Sequence, residues 1–288
     1  MKIAAVVVFY NPSRENIKNI EKYIDTIDKL YVVDNTDDDK IRINSSKKIE
    51  YIKLGENKGI ASALNIGAKK AIENKYKYLL TLDQDSKMTQ NIIKKMITFL
   101  EKTKDERIGL ISPYQDIGSK EDTITGEYED MIEVMTSGNI INLDAYQKIG
   151  GFKDWLFIDC VDTDYCMNLH KHGYKVLRLN RIVMKHELGN LVVHKLFNKE
   201  YPCYNHNPMR RYYIVRNTMY INDMYKDVYP EYCQRLLRIQ KGQVKRILAF
   251  EKNKFQKLRM MFKGYIDFKK GKKGKIKGEN KNGWRTKE

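Results

Sequence analysis

An α/β fold built on a largely parallel sheet is predicted by three features of this 288-residue chain. Short β-branched apolar runs alternate with segments of helical periodicity, the pattern of β-α-β units. The runs are apolar without alternation, as strands covered by helices on both faces must be. Polar or acidic residues (Asn11, Asp34, Asp83 and Asp85) stand directly after three of these runs, and ligands bind beyond the carboxyl ends of strands in such sheets.

Ile3 to Phe9 is a buried parallel strand stopped by Asn11-Pro12. Ser13 is placed to cap a helix from Arg14 to about Asp28, with Ile17, Ile20, Ile24 and Ile27 on one face. Leu30 to Val33 forms a second strand, closed by Asp34-Asn35, and Ile49 to Leu54 a third. A helix follows from about Gly59 to Asn74, in which Gly59, Ala63 and Gly67 recur every fourth residue and leave a smooth face for close packing on a sheet. Tyr78 to Leu82 is a fourth strand ending at Asp83-Gln84-Asp85. Thr89 opens a helix to about Lys102, and Ile108 to Ile111 is another strand.

The polar, acidic stretch from Gly118 to Glu133 reads as a loop or edge hairpin. Order returns from Met135 to Leu143, followed by a helix through Ile149 and a Gly150-Gly151 stop. A second acidic cluster comes at Asp159, Asp162 and Asp164. Beyond Leu177 the alternation blurs into a Tyr- and Arg-rich stretch from Tyr201 to Tyr229.

Composition removes several classes. At 42% hydrophobic and 32% charged residues the chain is globular and not disordered. The apolar run Ile3 to Tyr10 is too short to span a bilayer, and no small-residue cleavage site follows it as a signal peptide requires. Cys160, Cys166, Cys203 and Cys233 form no CxxC and no zinc spacing, so reduced thiols in a cytosolic protein are expected.

The net charge of +17 is unevenly placed. From Arg235 onward, 54 residues hold 19 Lys and Arg against 4 Asp and Glu, which leaves 35 bases and 33 acids on the first 234. A near-neutral body with a basic tail is therefore expected: a domain over 1–225 and a basic, amphipathic, partly disordered helical tail over 226–288. Leu236, Leu237, Ile239, Val244, Ile247 and Leu248 recur at helical spacing among the bases. Such a stretch suits the interface of an anionic leaflet, and the run Lys270 to Lys275 reads as disordered.

Asp83-Gln84-Asp85 carries the first chemical signal. Two acids one residue apart can turn both carboxylates toward one hard cation, and a cation kept partly open can bind phosphate oxygens and neutralise a diphosphate leaving group.

The series Val8-Phe9-Tyr10-Asn11, Val32-Val33-Asp34-Asn35 and Asn57-Lys58-Gly59-Ile60-Ala61 through Asn65-Ile66-Gly67 resembles the inverting family 2 glycosyltransferases of the GT-A fold. Leu80 to Ser86, with its D-Q-D-S spelling, is similar to the bacterial rhamnosyltransferase branch. So are Phe157 to Asp164, His186-Glu187-Leu188-Gly189, His206-Asn207-Pro208, Arg211-Tyr212-Tyr213 and Arg216-Asn217. The resemblance covers about residues 2–220, in the family's order.

It implies a Rossmann-like mixed sheet flanked by helices and a metal-dependent inverting transfer, with Mn²⁺ or Mg²⁺ as cofactor. The expected reaction moves L-rhamnose from dTDP-rhamnose onto a glycan or lipid-linked glycan of a surface polysaccharide. Another nucleotide sugar, a UDP-hexose or UDP-galactofuranose, is the alternative donor. By the same resemblance Phe9, Tyr10, Asn11, Asp34, Asn57 and Asp83 bind the nucleotide, Asp85 and Asp83 hold the metal, and His186 completes its shell. Gly138 and Asn139 belong to a small-residue loop near the donor sugar.

An inverting transfer also needs a base to take the acceptor proton. Asp159, Asp162 and Asp164 compete. Asp162 aligns with the family's acidic pair, whose first member is Val161 here; Asp159 is the reserve, and Asp164 reads as a helix-start residue. Arg210, Arg211 and Arg216 can clamp diphosphate through guanidinium forks, and Tyr201, Tyr204, Tyr212, Tyr213, Tyr220 and Tyr225 are the candidates for an acceptor groove. A nucleotidyltransferase would need a Gly-rich basic loop after the first strand, where none is present. A nucleic-acid- or membrane-binding protein would explain the tail but leave Asp83, Asp85 and Asp162 without purpose, so no nucleic-acid partner is expected. The expected location is cytoplasmic, peripheral on the inner face of the plasma membrane.

Overall fold

The structure, a computed structural model, describes residues 1–37, 43–118, 126–186, 191–196 and 199–276. The chain divides into two compact units, Met1–Asp154 with Val161–His186, and Trp155–Cys160 with Glu187–Glu288. Among the described residues no helix is long and apolar enough to cross a membrane.

The first unit is the α/β body. Strands β1 (Ile3–Phe9), β2 (Lys29–Asp34), β3 (Ile49–Lys53) and β4 (Tyr78–Asp83) run parallel. Strand β7 (Asn139–Asn142) lies antiparallel between β4 and β5 (Ile108–Asp116). Strand β8 (Lys175–Lys185) continues parallel to β5, and β6 (Tyr128–Asp130) closes the edge antiparallel to β8. The order β3-β2-β1-β4-β7-β5-β8-β6 is the mixed sheet expected from the sequence. Every side chain of β1 is buried, in keeping with its unbroken apolar run.

Helix α2 (Ile60–Glu73) packs on β1 and β2. A Cβ at Gly67 would stand 2.3 Å from Val6 Cγ2, so the helix comes closer to the sheet than any other residue there would allow. Helix α3 (Gln90–Thr103) is capped by the Thr89 side chain, and α4 (Leu143–Ile149) ends at Gly150 in the left-handed region, where glycine costs least. Helix α5 (Val161–Lys171) completes the unit.

Three expectations for this unit change. The helix expected over Arg14 to Asp28 is only α1 (Arg14–Asn19), followed by 3₁₀ turns at Ile20–Lys22 and Ile24–Thr26. Its isoleucines hold a helix weakly, and burial of Ile20, Tyr23 and Ile27 in the core sets the path instead. Strand β5 runs five residues past Ile111, because a register shift between Pro113 and Tyr114 accommodates the proline. The acidic stretch before Glu133 contributes β6, while residues 119–125 lie outside the described residues.

The second unit holds a hairpin, β9 (Val192–Leu196) with β10 (Lys199–Cys203), and three helices. Helix α6 (Pro208–Tyr225) begins at Asn207, whose side chain accepts from Arg210 N at 2.8 Å, with Pro208 at the first turn. Helices α7 (Pro230–Phe250) and α8 (Lys254–Lys269) pack on α6. Val215, Ile247 and Met261, one from each helix, form a shared apolar core. Gly264 lets α8 approach α6 closely, since a Cβ there would lie 2.5 Å from the Tyr212 carbonyl oxygen. The boundary expected at 225/226 thus falls inside this unit. The run Lys270 to Lys275, expected to be disordered, turns back onto the unit: the carbonyls of Lys272 and Gly274 accept from Tyr220 and Arg216. Residues 277–288 lie outside the described residues.

Candidate active site

Register builds the site. Phe9 is level with Asp34 and Val8 with Asp83, so the two acids flank the carboxyl end of β1, each about one strand spacing (~4.8 Å) away. The Phe9 side chain itself is packed in the core, which leaves Tyr10 and Asn11 as the residues of this segment beyond the strand end. Asn11 adopts a left-handed φ of 47°, which asparagine tolerates well, and its N–H donates to Thr36 Oγ1 at 2.9 Å.

The Asp83-Gln84-Asp85-Ser86 loop is pinned from four directions. Ser86 Oγ accepts from Asp83 N at 2.9 Å and shares a hydrogen bond with Ser137 Oγ. Gln84 Oε1 accepts from Tyr10 N at 2.9 Å, and the amide of Asn16 donates to Gln84 O at 3.2 Å. Asn19 Nδ2 donates to Ser86 O at 2.6 Å. Gln84 and Ser86 therefore hold the loop while Asp83 and Asp85 are presented. The first helix, short as it is, supplies two of these anchors.

Asp34 is buried; its Oδ1 accepts from Thr36 N at 3.0 Å and its Oδ2 from the Tyr51 hydroxyl. Asn57 Oδ1 accepts from Asn35 Nδ2 at 3.1 Å and Gly59 N at 2.9 Å, while Asn35 Oδ1 accepts from Lys58 N. This Asn35–Asn57 pair ties the loop after β2 to the start of α2, where Gly59 takes φ 87°.

On the other side of β4, Gly138 N donates to Thr81 O at 2.7 Å. Gly138 has φ 87°, a conformation that favours glycine, and a Cβ there would press on the Met184 Cε methyl at 2.8 Å. Asn139 is buried, with Nδ2 bonded to Met135 O; its side chain braces the loop instead of facing a sugar directly. Gln115 Nε2 donates to Ser137 O at 2.7 Å, extending the serine network to β5.

Asp162 opens the first turn of α5 and lines a cavity of about 390 Å³ with Tyr114, Gln115, Glu133, Met135, Thr163 and Arg178. Asp162 Oδ1 accepts from Thr163 N at 2.9 Å, and Thr163 Oγ1 donates to Glu133 at 2.7 Å. Asp164 points elsewhere: it is fully buried and paired with Lys153 Nζ at 2.7 Å. Cys166 is buried, and that burial, with the nearby carboxylates, pushes its thiol pKa well up. All four cysteines are free thiols.

Asp83 and Asp85 are the neighbouring carboxylates here that could hold a hard cation. His186 stands at the end of β8, where its N–H donates to Asp116 O. Strands β7 and β5 intervene between β4 and β8, and among the described residues no three His, Cys, Asp or Glu side chains converge as a metal set. His186 is thus not gathered with the two aspartates. Glu187 to Gly189 of the same motif lie outside the described residues.

In the second unit Asp159 accepts from Arg210 Nε at 3.1 Å and Nη2 at 3.0 Å, a forked pair. Phe157, Asp159 and Cys160 all have left-handed φ (68°, 63° and 60°), each costing about 1–3 kcal/mol that the surroundings must offset. Arg211 and Arg216, read from sequence as diphosphate clamps, are both buried and engaged inside the unit. Arg211 pairs with Glu251 and Gln243, and Arg216 donates to backbone carbonyls. Tyr212, Tyr213, Tyr220 and Tyr225 are buried as well and pack the helices, so they form no open groove. Burial, then the charges of Arg210, Arg211 and Lys257, lower the His206 pKa to about 3, which keeps its ring neutral at physiological pH.

Residues 5–155, just over half of the chain, match the family described as Glycosyl transferase family 2. The chain is 30% identical over 236 residues, 75% of its length and 78% of the relative's, to the dTDP-rhamnosyl transferase RfbF of Shigella flexneri. Similar solved folds include S. aureus TarS 1-349 in complex with UDP-GlcNAc, with a TM-score of 0.56, 14% identity and coverage of 94% of this chain and 82% of that one. GalNAc-T7 with UDP, GalNAc and Mn²⁺ is similar at a TM-score of 0.56 and 12% identity, covering 94% of this chain and 58% of that one. With these strand-end acids, this sheet order and this family match, the chain belongs to the family 2 glycosyltransferases and has their GT-A fold.

Proposed function

We propose that this glycosyltransferase moves a rhamnosyl group from dTDP-rhamnose, with inversion, to a hydroxyl of a surface-polysaccharide acceptor. The observation that carries the proposal is the pinned Asp83-Gln84-Asp85-Ser86 loop facing Asp34 across β1, in a chain 30% identical to a dTDP-rhamnosyl transferase. The base lies against Tyr10, Asn11 and Asn57. Asp34 accepts its imide N–H, since each carboxylate oxygen keeps a lone pair beyond those used by Tyr51 and Thr36. Asp83 and Asp85 would hold a divalent cation, Mn²⁺ or Mg²⁺, which would supply positive charge to the diphosphate leaving group. Asp162 takes the proton of the acceptor hydroxyl as its oxygen bonds to the anomeric carbon. The bond from that carbon to the diphosphate oxygen breaks, and its electron pair leaves with dTDP. Gly138 shapes the loop that runs beside the donor sugar, and Asp159 with Arg210 serves the acceptor side.

The test is nucleotide release by the purified full chain with Mn²⁺ or Mg²⁺ across dTDP-rhamnose, UDP-glucose and UDP-galactofuranose. The expected outcome is a kcat/KM at least tenfold higher for dTDP-rhamnose. Release from none of them, or a preference for a UDP-sugar, overturns the donor assignment.

The enzyme is proposed to work at the inner face of the plasma membrane on a lipid-linked glycan, docked through α7 and α8. Phe255 and Phe262 are 80% and 66% exposed on α8 and Leu248 is exposed on α7, among the exposed bases Lys245, Lys252, Lys254 and Arg259. Aromatic rings ringed by bases suit an anionic lipid interface. Deleting α8 would strip a packed helix from α6, so surface variants give the cleaner test. Phe255→Ala with Phe262→Ala is expected to weaken binding to vesicles containing anionic lipid at least tenfold, with melting temperature unchanged. Equal vesicle binding by variant and wild type contradicts the docking surface.

A further inference from the structure

The basic run after α8 packs on α6 and, through Gly274, Lys273 and Lys275, on the loop Trp155–Cys160. Gly274 N donates to Trp155 O at 2.8 Å, and Lys273 Nζ sits 4.6 Å from the centre of the Trp155 ring. Lys275 Nζ lies 5.9 Å from the Phe157 ring, which stacks on Tyr213 at 5.1 Å, while the Tyr213 hydroxyl accepts from Ile276 N. Arg216 joins the two segments. Its buried guanidinium donates to Gly274 O from one nitrogen and to Trp155 O and Leu156 O from another, both at 3.2 Å. Next to it, Asn217 Nδ2 reaches the carbonyls of Leu156, Ile158 and Asp159 at 2.7–2.9 Å.

The loop so gripped is the one with three left-handed residues that are not glycine, and it presents Asp159 to Arg210. Backbone in that region persists only where its surroundings over-determine it. The contacts supplying that determination come from α6 and from residues 272–276, more than a hundred positions later in the chain.

We infer that residues 272–276 form a strap which, through Arg216, holds loop 155–160 in its left-handed conformation and thereby positions the Asp159–Arg210 pair for transfer. The strap residues and Arg216 are positioning residues and touch no substrate. The catalytic part of this inference rests on the assignment of Asp159 and Arg210 to the acceptor side. The grip on the loop does not.

Trp155 allows a direct test, because the other tryptophan of the chain is Trp284. In chains ending at residue 276 or at residue 269, Trp155 is the sole fluorophore of its kind. The 1–276 chain is expected to keep kcat within twofold of the full chain. The 1–269 chain is expected to lose at least tenfold in kcat with donor KM unchanged, because the residues assigned to the nucleotide belong to the other unit. Its Trp155 emission is expected to shift to the red as the ring gains water. Arg216→Lys in the 1–276 chain keeps the charge but loses the fork, and is expected to shift emission and kcat in the same directions; it decides the matter if the 1–269 chain does not fold. Unchanged Trp155 emission in folded 1–269 and in Arg216→Lys overturns the strap, whatever happens to kcat. Shifted emission with full kcat overturns its catalytic role. If no chain turns over any nucleotide sugar, the proposed function fails, and the emission comparison still decides whether the strap holds the loop.

Discussion

Asp162→Asn is expected to lower kcat by about 10³-fold, within the range for loss of a general base, while leaving the affinity for dTDP unchanged. The substitution is nearly isosteric. Asparagine keeps an oxygen that can accept from Thr163 N, so the start of α5 and the Thr163–Glu133 hydrogen bond survive. What is lost is the ability to take a proton from the acceptor hydroxyl. The residues assigned to the nucleotide stand at the ends of β1, β2 and β4 and just before α2, apart from the α5 terminus in sequence and in element, so a defect confined to kcat separates a base from a structural residue. Titration calorimetry with dTDP and a single-turnover assay read the two quantities. Retained turnover moves the base to Asp159, for which Asp159→Asn is the matching variant.

Glu251→Ala is expected to destabilise the second unit by about 3–5 kcal/mol, with a fall in melting temperature on the order of 10 °C. Glu251 is fully buried between two cations: Oε1 accepts from Arg211 Nη2 at 2.6 Å and Oε2 from Lys257 Nζ at 2.7 Å. Arg211 Nη1 also donates to Gln243 at 3.1 Å. One carboxylate thus fastens α6 to α8 from the turn that follows α7. Removing it leaves two buried cations without a counter-charge, a far larger effect than the loss of a surface ion pair, which is worth at most about 1 kcal/mol. Burial already lowers the Arg211 pKa against the opposing influence of Glu251. Calorimetric melting of the variant measures the loss, and a change within about 1 kcal/mol contradicts the buried network.

The strand ends were legible because buried parallel strands leave little choice: Ile3 to Phe9 is an unbroken apolar run and Tyr78 to Leu82 is interrupted only by Thr81, and the first polar residue after each marks the edge of the sheet. Gly67 was legible for a similar reason, since a four-residue spacing of small side chains has few uses besides close packing. The roles of Gln84 and Ser86 were not. They follow from hydrogen bonds to Tyr10, Asp83 and Ser137, partners up to 74 positions away that no local pattern announces. Strand β8 was hidden because Arg178 and Arg181 interrupt its apolar residues and its last five residues alternate between more and less exposed.

The basic tail was the least legible part. Nineteen bases in 54 residues read as an amphipathic stretch for an anionic leaflet, and part of that charge is internal. Lys257 is buried against Glu251, while Lys263 and Lys272 bracket the buried Asp267 at 3.1 and 2.9 Å. The same holds for Arg211 and Arg216, whose guanidinium groups looked like phosphate ligands in sequence. Net charge counts residues without regard to where the few acids sit, and here Glu251 and Asp267 sit inside the helical unit.

Binding of dTDP-rhamnose, followed by calorimetry with and without Mn²⁺ in the wild type and in Asp83→Asn with Asp85→Asn, tests the strand-end site most directly. The expected result is wild-type binding that tightens at least tenfold with the cation, and a double variant in which that gain is gone. Cation-dependent binding of equal strength in both proteins would place the nucleotide-sugar site elsewhere in the molecule.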